Sequence, residues 1–199
     1  MVNPRWASDR LHRRAALEGY RSRAAYKLRE IQGRHHVVRE GDAVLDLGAA
    51  PGSWLQVLTT LTHGPVVGVD LQPVAPVEGA TLIVGDFTER VTQDRIREVL
   101  PEATVVLSDA APNLSGHRDY DQARAVDLGE QALALALTLL TRGGNLVVKS
   151  FQGDLFNEFL AEVKRHFRSV RVFRASATRK GSRECYIVAK SFIGREEPC

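Results

Sequence analysis

The chain has 199 residues with 27 Lys and Arg against 24 Asp and Glu, and 44% of its residues are hydrophobic, which predicts one globular domain with a sizeable core. No apolar run is long enough to cross a bilayer, and the basic first residues lack the apolar core of a secretory signal, so we expect a cytoplasmic protein without membrane contact. The two cysteines offer no disulfide framework, and they and the six histidines show no metal-ligand spacing.

The charge is distributed unevenly along the chain. Residues 1–40 hold ten basic and four acidic side chains, residues 164–183 hold eight basic side chains and no acid, and residues 41–163 carry a net charge of −10. Basic charge at both ends predicts a nucleic-acid partner, although two solvated basic faces would give the same pattern. We expect residues 1–19 to form a basic N-terminal arm and residues 20–199 to form a single domain.

The first predicted helix covers residues 20–31, with Ser22 as its cap. Arg23, Lys27 and Glu30 follow each other at spacings of three and four residues and therefore share one helix face. Taken alone, Lys27 is an ordinary solvated helix lysine.

The stretch from Asp42 to Trp54 predicts a strand, a tight turn rich in Gly and Pro, and the start of a helix. Gly48 and Gly52 would let a ligand approach the backbone closely, and the helix start offers free N–H groups. The turn has neither the G-x-G-x-x-G dinucleotide pattern nor the G-x-x-x-x-G-K-[ST] phosphate-binding pattern. Ligands bind at the carboxyl ends of the strands in open α/β sheets, so we expect this turn to border a ligand site.

Three further predicted strands, at residues 66–70, 81–84 and 103–108, each end in or lead directly to a carboxylate. Asp70 lies about 20 residues beyond the glycine turn, the separation at which an acid can bind the ribose hydroxyls of a nucleoside. Asp86 is placed to accept a hydrogen bond from an adenine amino group. Either residue, like Asp109 after the fourth strand, could by itself be an ordinary turn residue.

The last third of the chain predicts a helix at residues 119–140, ended by Arg142-Gly143-Gly144, and then a fifth strand at residues 145–148. Lys149 stands at the end of that strand, where a charged side chain costs free energy unless it has a partner, so it is a candidate general base. Glu184 precedes the last predicted strand and could equally be a salt-bridge partner of the nearby arginines. The remaining predicted elements are a helix at residues 92–100 capped by Thr92, a helix at residues 155–167, and strands at residues 170–173 and 185–189.

Several of these stretches, in the same order, match motifs of one family. They are Ser22 to Leu28 (S-R-A-A-Y-K-L), Asp46 to Trp54 (D-x-G-x-x-P-G-x-W), Gly85-Asp86-Phe87, Asp109 to Gly116 (D-A-A-P-N-L-S-G), Val147 to Phe151 (V-V-K-x-F) and Glu184-Cys185-Tyr186. Between Ser22 and Lys190 the chain resembles the FtsJ/RrmJ-like RNA ribose 2′-O-methyltransferases. Ser53 departs from the second glycine that is frequent in the family, and the family's proline is missing from the basic loop at residues 174–183.

The resemblance implies a Rossmann-like class I fold for S-adenosylmethionine (SAM) dependent methyltransferases, with a mostly parallel seven-stranded sheet flanked by helices and one antiparallel strand near the C-terminus. It implies a catalytic tetrad of Lys27, Asp109, Lys149 and Glu184. It also implies SAM contacts at Gly48, Gly52, Trp54, Asp70, Asp86 and Asp109, with no metal ion.

The implied reaction is methyl transfer from SAM to the ribose 2′-hydroxyl of a uridine in large-subunit (23S-type) ribosomal RNA within the assembled subunit, by a monomer. The D-A-A-P-N loop differs from the [DNS]-P-P-[YFW] loop of amino-directed methyltransferases, which favours an oxygen target. Three alternatives stay open: 2′-O-methylation of transfer RNA, methylation of a small-molecule hydroxyl, and a non-catalytic RNA-binding role in ribosome assembly.

Overall fold

The computed structural model describes residues 10–112, 118–178 and 181–194, without the side chains of residues 118 and 119. Its helices are α1 (Arg10–Leu17), α2 (Ala24–His35), α3 (Ser53–Leu61), α4 (Arg90–Val99), α5 (Arg118–Leu139) and α6 (Phe156–His166). Its strands are β1 (Val44–Leu47), β2 (Val66–Asp70), β3 (Ala80–Val84), β4 (Ala103–Ser108), β5 (Leu140–Phe151), β6 (Phe167–Phe173) and β7 (Glu184–Phe192).

The seven strands form one sheet in the order β3-β2-β1-β4-β5-β7-β6. The pairs among β1 to β5 are parallel, whereas β7 runs antiparallel to both of its neighbours, β5 and β6. The predicted α/β fold, with a mostly parallel seven-stranded sheet and one antiparallel strand near the C-terminus, is therefore confirmed.

Helices cover both faces of the sheet. On one face of the sheet, a hydrophobic cluster joins α2 and α3 to strand residues such as Val44, Val105 and Val147. On the opposite face, a second cluster joins α4, α5 and α6 to strand residues such as Leu45 and Val106. The central strands are buried on both faces, which explains their nearly continuous apolar sequence. Within the described residues, no helix is both long enough and apolar enough to cross a membrane.

Two predicted helix starts are wrong. The helix that carries Lys27 begins at Ala24 instead of residue 20, and Ser22 lies in the turn before it, where its hydroxyl accepts a hydrogen bond from the Ala24 amide (3.1 Å). Thr92 lies inside α4, two residues after its first residue, Arg90, and does not cap it. The Thr92 side chain is buried because it packs against Gly85, where an added Cβ would lie 2.5 Å from its hydroxyl oxygen.

The predicted glycine end of the long helix is also wrong. Helix α5 ends at Leu139, and strand β5 starts at once, because Leu140 already pairs with Ala103 of β4. The register of the β4–β5 pairing shifts after that pair, and the two glycines make the shift possible. Gly143 has a φ of 89°, and a Cβ on Gly144 would lie 2.8 Å from the Thr104 carbonyl oxygen. The Gly-rich sequence therefore marks an irregular strand start.

The fifth strand also extends beyond its predicted end, because pairing with β7 continues as far as Phe151 and Glu184. Lys149 consequently lies within β5, opposite Tyr186 of β7. At the other end of the chain, the described part of the predicted N-terminal arm contains α1, while residues 1–9 lie outside the described residues. So do residues 113–117, which include the last four residues of the D-A-A-P-N-L-S-G loop. The division into arm and domain stays a prediction.

Candidate active site

A cavity of about 600 Å³ lies at the carboxyl ends of β1 to β4, where the sequence predicts a ligand site. The loops after these four strands and the first half of α5 form its walls. Four of the residues predicted to bind a cofactor line it: Gly48, Asp70, Asp86 and Asp109. The topology brings them together because parallel strands place their carboxyl ends on the same edge of the sheet.

The loops that line the cavity are held by short hydrogen bonds and close contacts. Gly48 has a φ of 78°, and a Cβ there would lie 2.6 Å from the backbone of Ala110, so only glycine lets the loops after β1 and β4 approach. The Asp70 carboxylate accepts hydrogen bonds from the amides of Ala50 (2.9 Å) and Gln72 (2.8 Å). Asp86 accepts hydrogen bonds from the amide (2.9 Å) and hydroxyl (2.7 Å) of Thr88.

Gly52 and Trp54 are not among the described residues that line the cavity. A Cβ on Gly52 would lie 2.4 Å from Nη1 of Arg21, and the indole of Trp54 is buried, with Nε1 donating to the Ala24 carbonyl (2.9 Å). Gly52 therefore leaves room for the Arg21 guanidinium, Trp54 joins α3 to α2, and direct cofactor contacts at both residues stay a prediction.

The four predicted catalytic side chains form two ion pairs. Lys27 Nζ lies 2.6 Å from Glu184 Oε1, and Lys149 Nζ lies 3.2 Å from Asp109 Oδ1 and also donates to the backbone carbonyl of Asp109. The side chains of all four are between 9% and 18% exposed, so solvent screens these pairs far less than surface pairs. Lys149 and Glu184 point to the same face of the sheet as Val147 and Val188, because they lie an even number of residues from them along their strands. Helix α2 covers this face, so Lys27 can reach Glu184.

Tyr186 links the two ion pairs, although sequence reasoning did not include it in the site. Its hydroxyl donates to Asp109 Oδ1 (2.7 Å), and Lys27 Nζ lies 5.8 Å from the centroid of its ring. Burial, together with the nearby Asp109 and Glu184 carboxylates, raises the pKa of Tyr186 well above its usual value, so the phenol is a donor. The signal available in the sequence was the tyrosine in Glu184-Cys185-Tyr186.

Asp46 is a second residue that sequence reasoning missed. Its side chain is fully buried, and neither carboxylate oxygen has a hydrogen-bond partner among the described residues. Burial raises its pKa well above the usual value, and the neighbouring Asp109 and Asp70 carboxylates add to the shift. The available signal was an acid between Leu45 and Leu47 in a strand that is otherwise apolar.

The described residues hold no group of three or more His, Cys, Asp or Glu side chains that could bind a metal ion. The polar groups on this edge of the sheet include two lysine–carboxylate pairs and a phenol beside a cavity lined with hydrogen-bond acceptors. Such a set can orient a hydroxyl group, stabilise charge that develops on its oxygen, or accept its proton.

Comparison with known proteins identifies the family. The profile of the FtsJ-like methyltransferases matches residues 20–192. Proteins named ribosomal RNA large subunit methyltransferase E from Methanoculleus marisnigri and Methanocorpusculum labreanum are 60% and 57% identical, over 97% of this chain and 96% and 95% of their own lengths. A crystal structure of a candidate ribosomal RNA methyltransferase from Plasmodium falciparum is 28% identical, with a TM-score of 0.79 over 88% of this chain and 100% of that one. The chain therefore belongs to the FtsJ-like methyltransferase family.

Proposed function

We propose that this enzyme transfers a methyl group from SAM to the ribose 2′-hydroxyl of a uridine in large-subunit ribosomal RNA, with the assembled subunit as substrate. The observation that carries the proposal is the presence of two ion pairs, Lys27–Glu184 and Lys149–Asp109, beside a cavity of about 600 Å³. Tyr186 contacts both pairs. The names of the two relatives above support ribosomal RNA as the substrate. The 2′-hydroxyl, the uridine and the assembled subunit rest on the motifs that resemble the family.

The cavity fits SAM in size and in chemistry. Its volume lies within the range of small-molecule sites, and two of its acids are acceptors at separate strand ends. Asp70 would bind the ribose hydroxyls and Asp86 the adenine amino group, while Phe87 would form an apolar wall. When bound, SAM supplies an electrophilic methyl group on a sulfonium sulfur.

The residues of the chain would act on the target hydroxyl. Lys149 Nζ is held by both the carboxylate and the backbone carbonyl of Asp109, which fixes its position beside a residue that lines the cavity. Asp109 also stabilises a positive charge on Lys149, so we assign Lys149 the orientation of the 2′-hydroxyl and the stabilisation of negative charge developing on its oxygen. Much of the acceleration then comes from alignment of the reacting atoms. As the 2′-oxygen gains the methyl group, the carbon–sulfur bond would break to leave S-adenosylhomocysteine, and the hydroxyl proton would pass to water, because a charged Lys149 cannot accept it.

RNA would dock through a strip of exposed arginines that begins at the end of α6 and runs along β6 towards this site. These arginines lie on α6, on the edge strand β6 and before β7, and they are Arg165, Arg168, Arg171, Arg174 and Arg183. Glu184 directly follows the last of them, so the interface and the tetrad are continuous along the chain. Methylation of a 2′-hydroxyl selects RNA because DNA lacks that group.

The test uses methyl-labelled SAM and large ribosomal subunits from cells that lack the enzyme, followed by mapping of the labelled nucleotide. We expect label on one uridine ribose. Lys149→Met should bind SAM with unchanged affinity in calorimetry but methylate about 10² to 10³ times more slowly, the loss expected when a group that stabilises charge on the oxygen is removed. Arg90→Met, at a 93% exposed position on α4, should match the wild type.

A Lys149→Met variant with wild-type turnover would overturn the proposed mechanism. Label that appears only on transfer RNA would show that transfer RNA, and not ribosomal RNA, is the substrate. SAM binding without methylation of any RNA would favour the ribosome-assembly role.

A further inference from the structure

The guanidinium of Arg21 holds together two loops that form the wall of the cavity. Its Nη1 donates to the carbonyl oxygens of Pro51 (2.9 Å) and Ala75 (2.6 Å), and its Nη2 donates to the carbonyl of Pro76 (2.7 Å). Pro51 belongs to the loop after β1, and the other two residues belong to the loop after β2. One side chain thus joins the two loops through three charge-assisted hydrogen bonds.

The same two loops also meet inside the cavity, at Asp70. The carboxylate of Asp70 accepts hydrogen bonds from Ala50 in the first loop and Gln72 in the second, and all three residues line the cavity. Arg21 is not among the described lining residues. The two loops are therefore joined by the Asp70 carboxylate inside the cavity and by the Arg21 guanidinium outside it. Of these two side chains, only Asp70 is in a position to contact a ligand.

The backbone around Arg21 is built for this arrangement. Gly52 leaves room for the guanidinium, because a Cβ there would lie 2.4 Å from Nη1. The amide of Arg21 donates to the side-chain oxygen of Gln56 on α3 (2.9 Å), whose amide nitrogen donates to the Gly19 carbonyl (2.9 Å). Helix α2, which carries Lys27, starts three residues later. The segment that leads into the catalytic helix is thus attached to the cavity wall.

We propose that Arg21 is a positioning residue for cofactor binding, which holds residues 48–52 and 71–77 in their binding conformation before the ligand arrives. The inference rests on the proposed function, since it takes SAM as the ligand of the cavity. A planar guanidinium donates to three carbonyls from a fixed fork, and the compact ammonium of lysine does not reproduce that geometry. With lysine at position 21, part of the binding free energy must be used to order the loops, and the affinity falls accordingly.

The test compares the wild type with Arg21→Lys and with Arg90→Lys, which changes an arginine that is 93% exposed on α4. We expect the SAM dissociation constant of Arg21→Lys, measured by calorimetry, to rise about tenfold. The kcat at saturating SAM and RNA should stay within about twofold of the wild type, because the tetrad is intact. Amide hydrogen exchange of the ligand-free variant should speed up at residues 71–77 and stay unchanged in β4 and β5. Arg90→Lys should show none of these changes.

Two results would overturn the inference while the wild type binds SAM. One is an unchanged dissociation constant in Arg21→Lys, and the other is faster exchange across the whole sheet, which would show a general loss of stability. A wild-type protein that does not bind SAM would overturn the proposed function itself, which separates the two failures.

Discussion

The phenol of Tyr186 shows how single side chains connect the charged groups of the candidate active site. Tyr186→Phe removes the donor 2.7 Å from Asp109 Oδ1 and leaves the ring contacts with Trp54 and Lys27 in place. We expect the free energy of unfolding to fall by about 1.5 to 3 kcal/mol, the value of a hydrogen bond to a charged group. Methyl transfer should slow less than in Lys149→Met, because no group assigned to the hydroxyl is lost.

Denaturant unfolding and single-turnover rates measure both effects. Tyr120→Phe, at an exposed position on α5, is the matched control and should change neither quantity. A Tyr186→Phe variant as stable as the wild type would mean that the Asp109 contact contributes nothing.

Asp46 should make the stability of the ligand-free protein depend on pH. Its pKa is raised in the folded state by burial first and by the Asp109 and Asp70 carboxylates second. The folded state therefore binds a proton that the unfolded state releases, and stability falls as the pH rises above the unfolded pKa of about 4 towards the higher folded value. Asp46→Asn removes the titrating group, so its stability relative to the wild type should increase with pH.

Thermal unfolding of both proteins at about pH 4 and about pH 8 measures this difference. Asp154→Asn, at an exposed position before α6, is the control for the loss of one negative charge. A difference in melting temperature that is the same at both pH values would contradict the expectation.

At the scale of elements, α2 contacts both the first residue of β7 and the chain that precedes this strand. Lys27 pairs with Glu184, and Glu30, one turn later, accepts hydrogen bonds from the amide (2.7 Å) and hydroxyl (2.8 Å) of Ser176. Thr178 in turn donates to Glu184 (3.1 Å). The helix thus holds Ser176 and Glu184, on either side of the basic stretch on which we place part of the RNA interface.

Glu30→Ala should therefore weaken RNA binding without affecting the cofactor. We expect the KM for the RNA substrate to rise about threefold to tenfold, from two lost hydrogen bonds, and the SAM dissociation constant to stay unchanged. Glu158→Ala, at an exposed position on α6, is the control. An unchanged KM for RNA, or a weaker affinity for SAM, would show that Glu30 does not act through the loop.

The elements also show what the sequence alone could predict. The bounds of β2 and β4 are as predicted, because both are short apolar runs that end at a turn and an acid. The prediction that the glycines at 143 and 144 end α5 was wrong, because glycine can mark either a helix end or an irregular strand. Only the pairing of Leu140 with Ala103 decides between these two possibilities. Local signals carry no information about such distant partners.

The same division applies to the candidate site. Gly48, Asp70, Asp86 and Asp109 could be placed on the cavity from their positions after strands, which are local features. The tetrad could be proposed only from the family resemblance, since Lys27 and Glu184 are 157 positions apart. Arg21 had no distinguishing pattern, because its role depends on carbonyls supplied by other elements. Tyr186 lay in a matched motif, but its contact with Asp109 on a different strand could not be read from that motif.

For the whole molecule, the uneven charge predicts that RNA binding depends on salt. Phosphate contacts release counterions, so the logarithm of affinity should fall linearly with the logarithm of salt concentration. Arg168→Ala and Arg171→Ala together, on the exposed edge strand β6, should reduce the slope by about one to two, while Arg90→Ala leaves it unchanged. Filter binding over a range of salt concentrations measures the slopes, and an affinity that does not vary with salt would contradict this interface.

The position of β7 in the sheet has a consequence for the synthesis and folding of the enzyme. The cavity is lined by residues between Gly48 and Leu128, whereas Glu184 of the proposed tetrad and Tyr186 belong to the last described strand, which inserts between β5 and β6. Ribosomes make chains from the N-terminus, so the residues that line the cavity are synthesised before β7. The proposed tetrad is complete only after β7 has entered the sheet, and we therefore expect a chain that has not yet added β7 to be inactive.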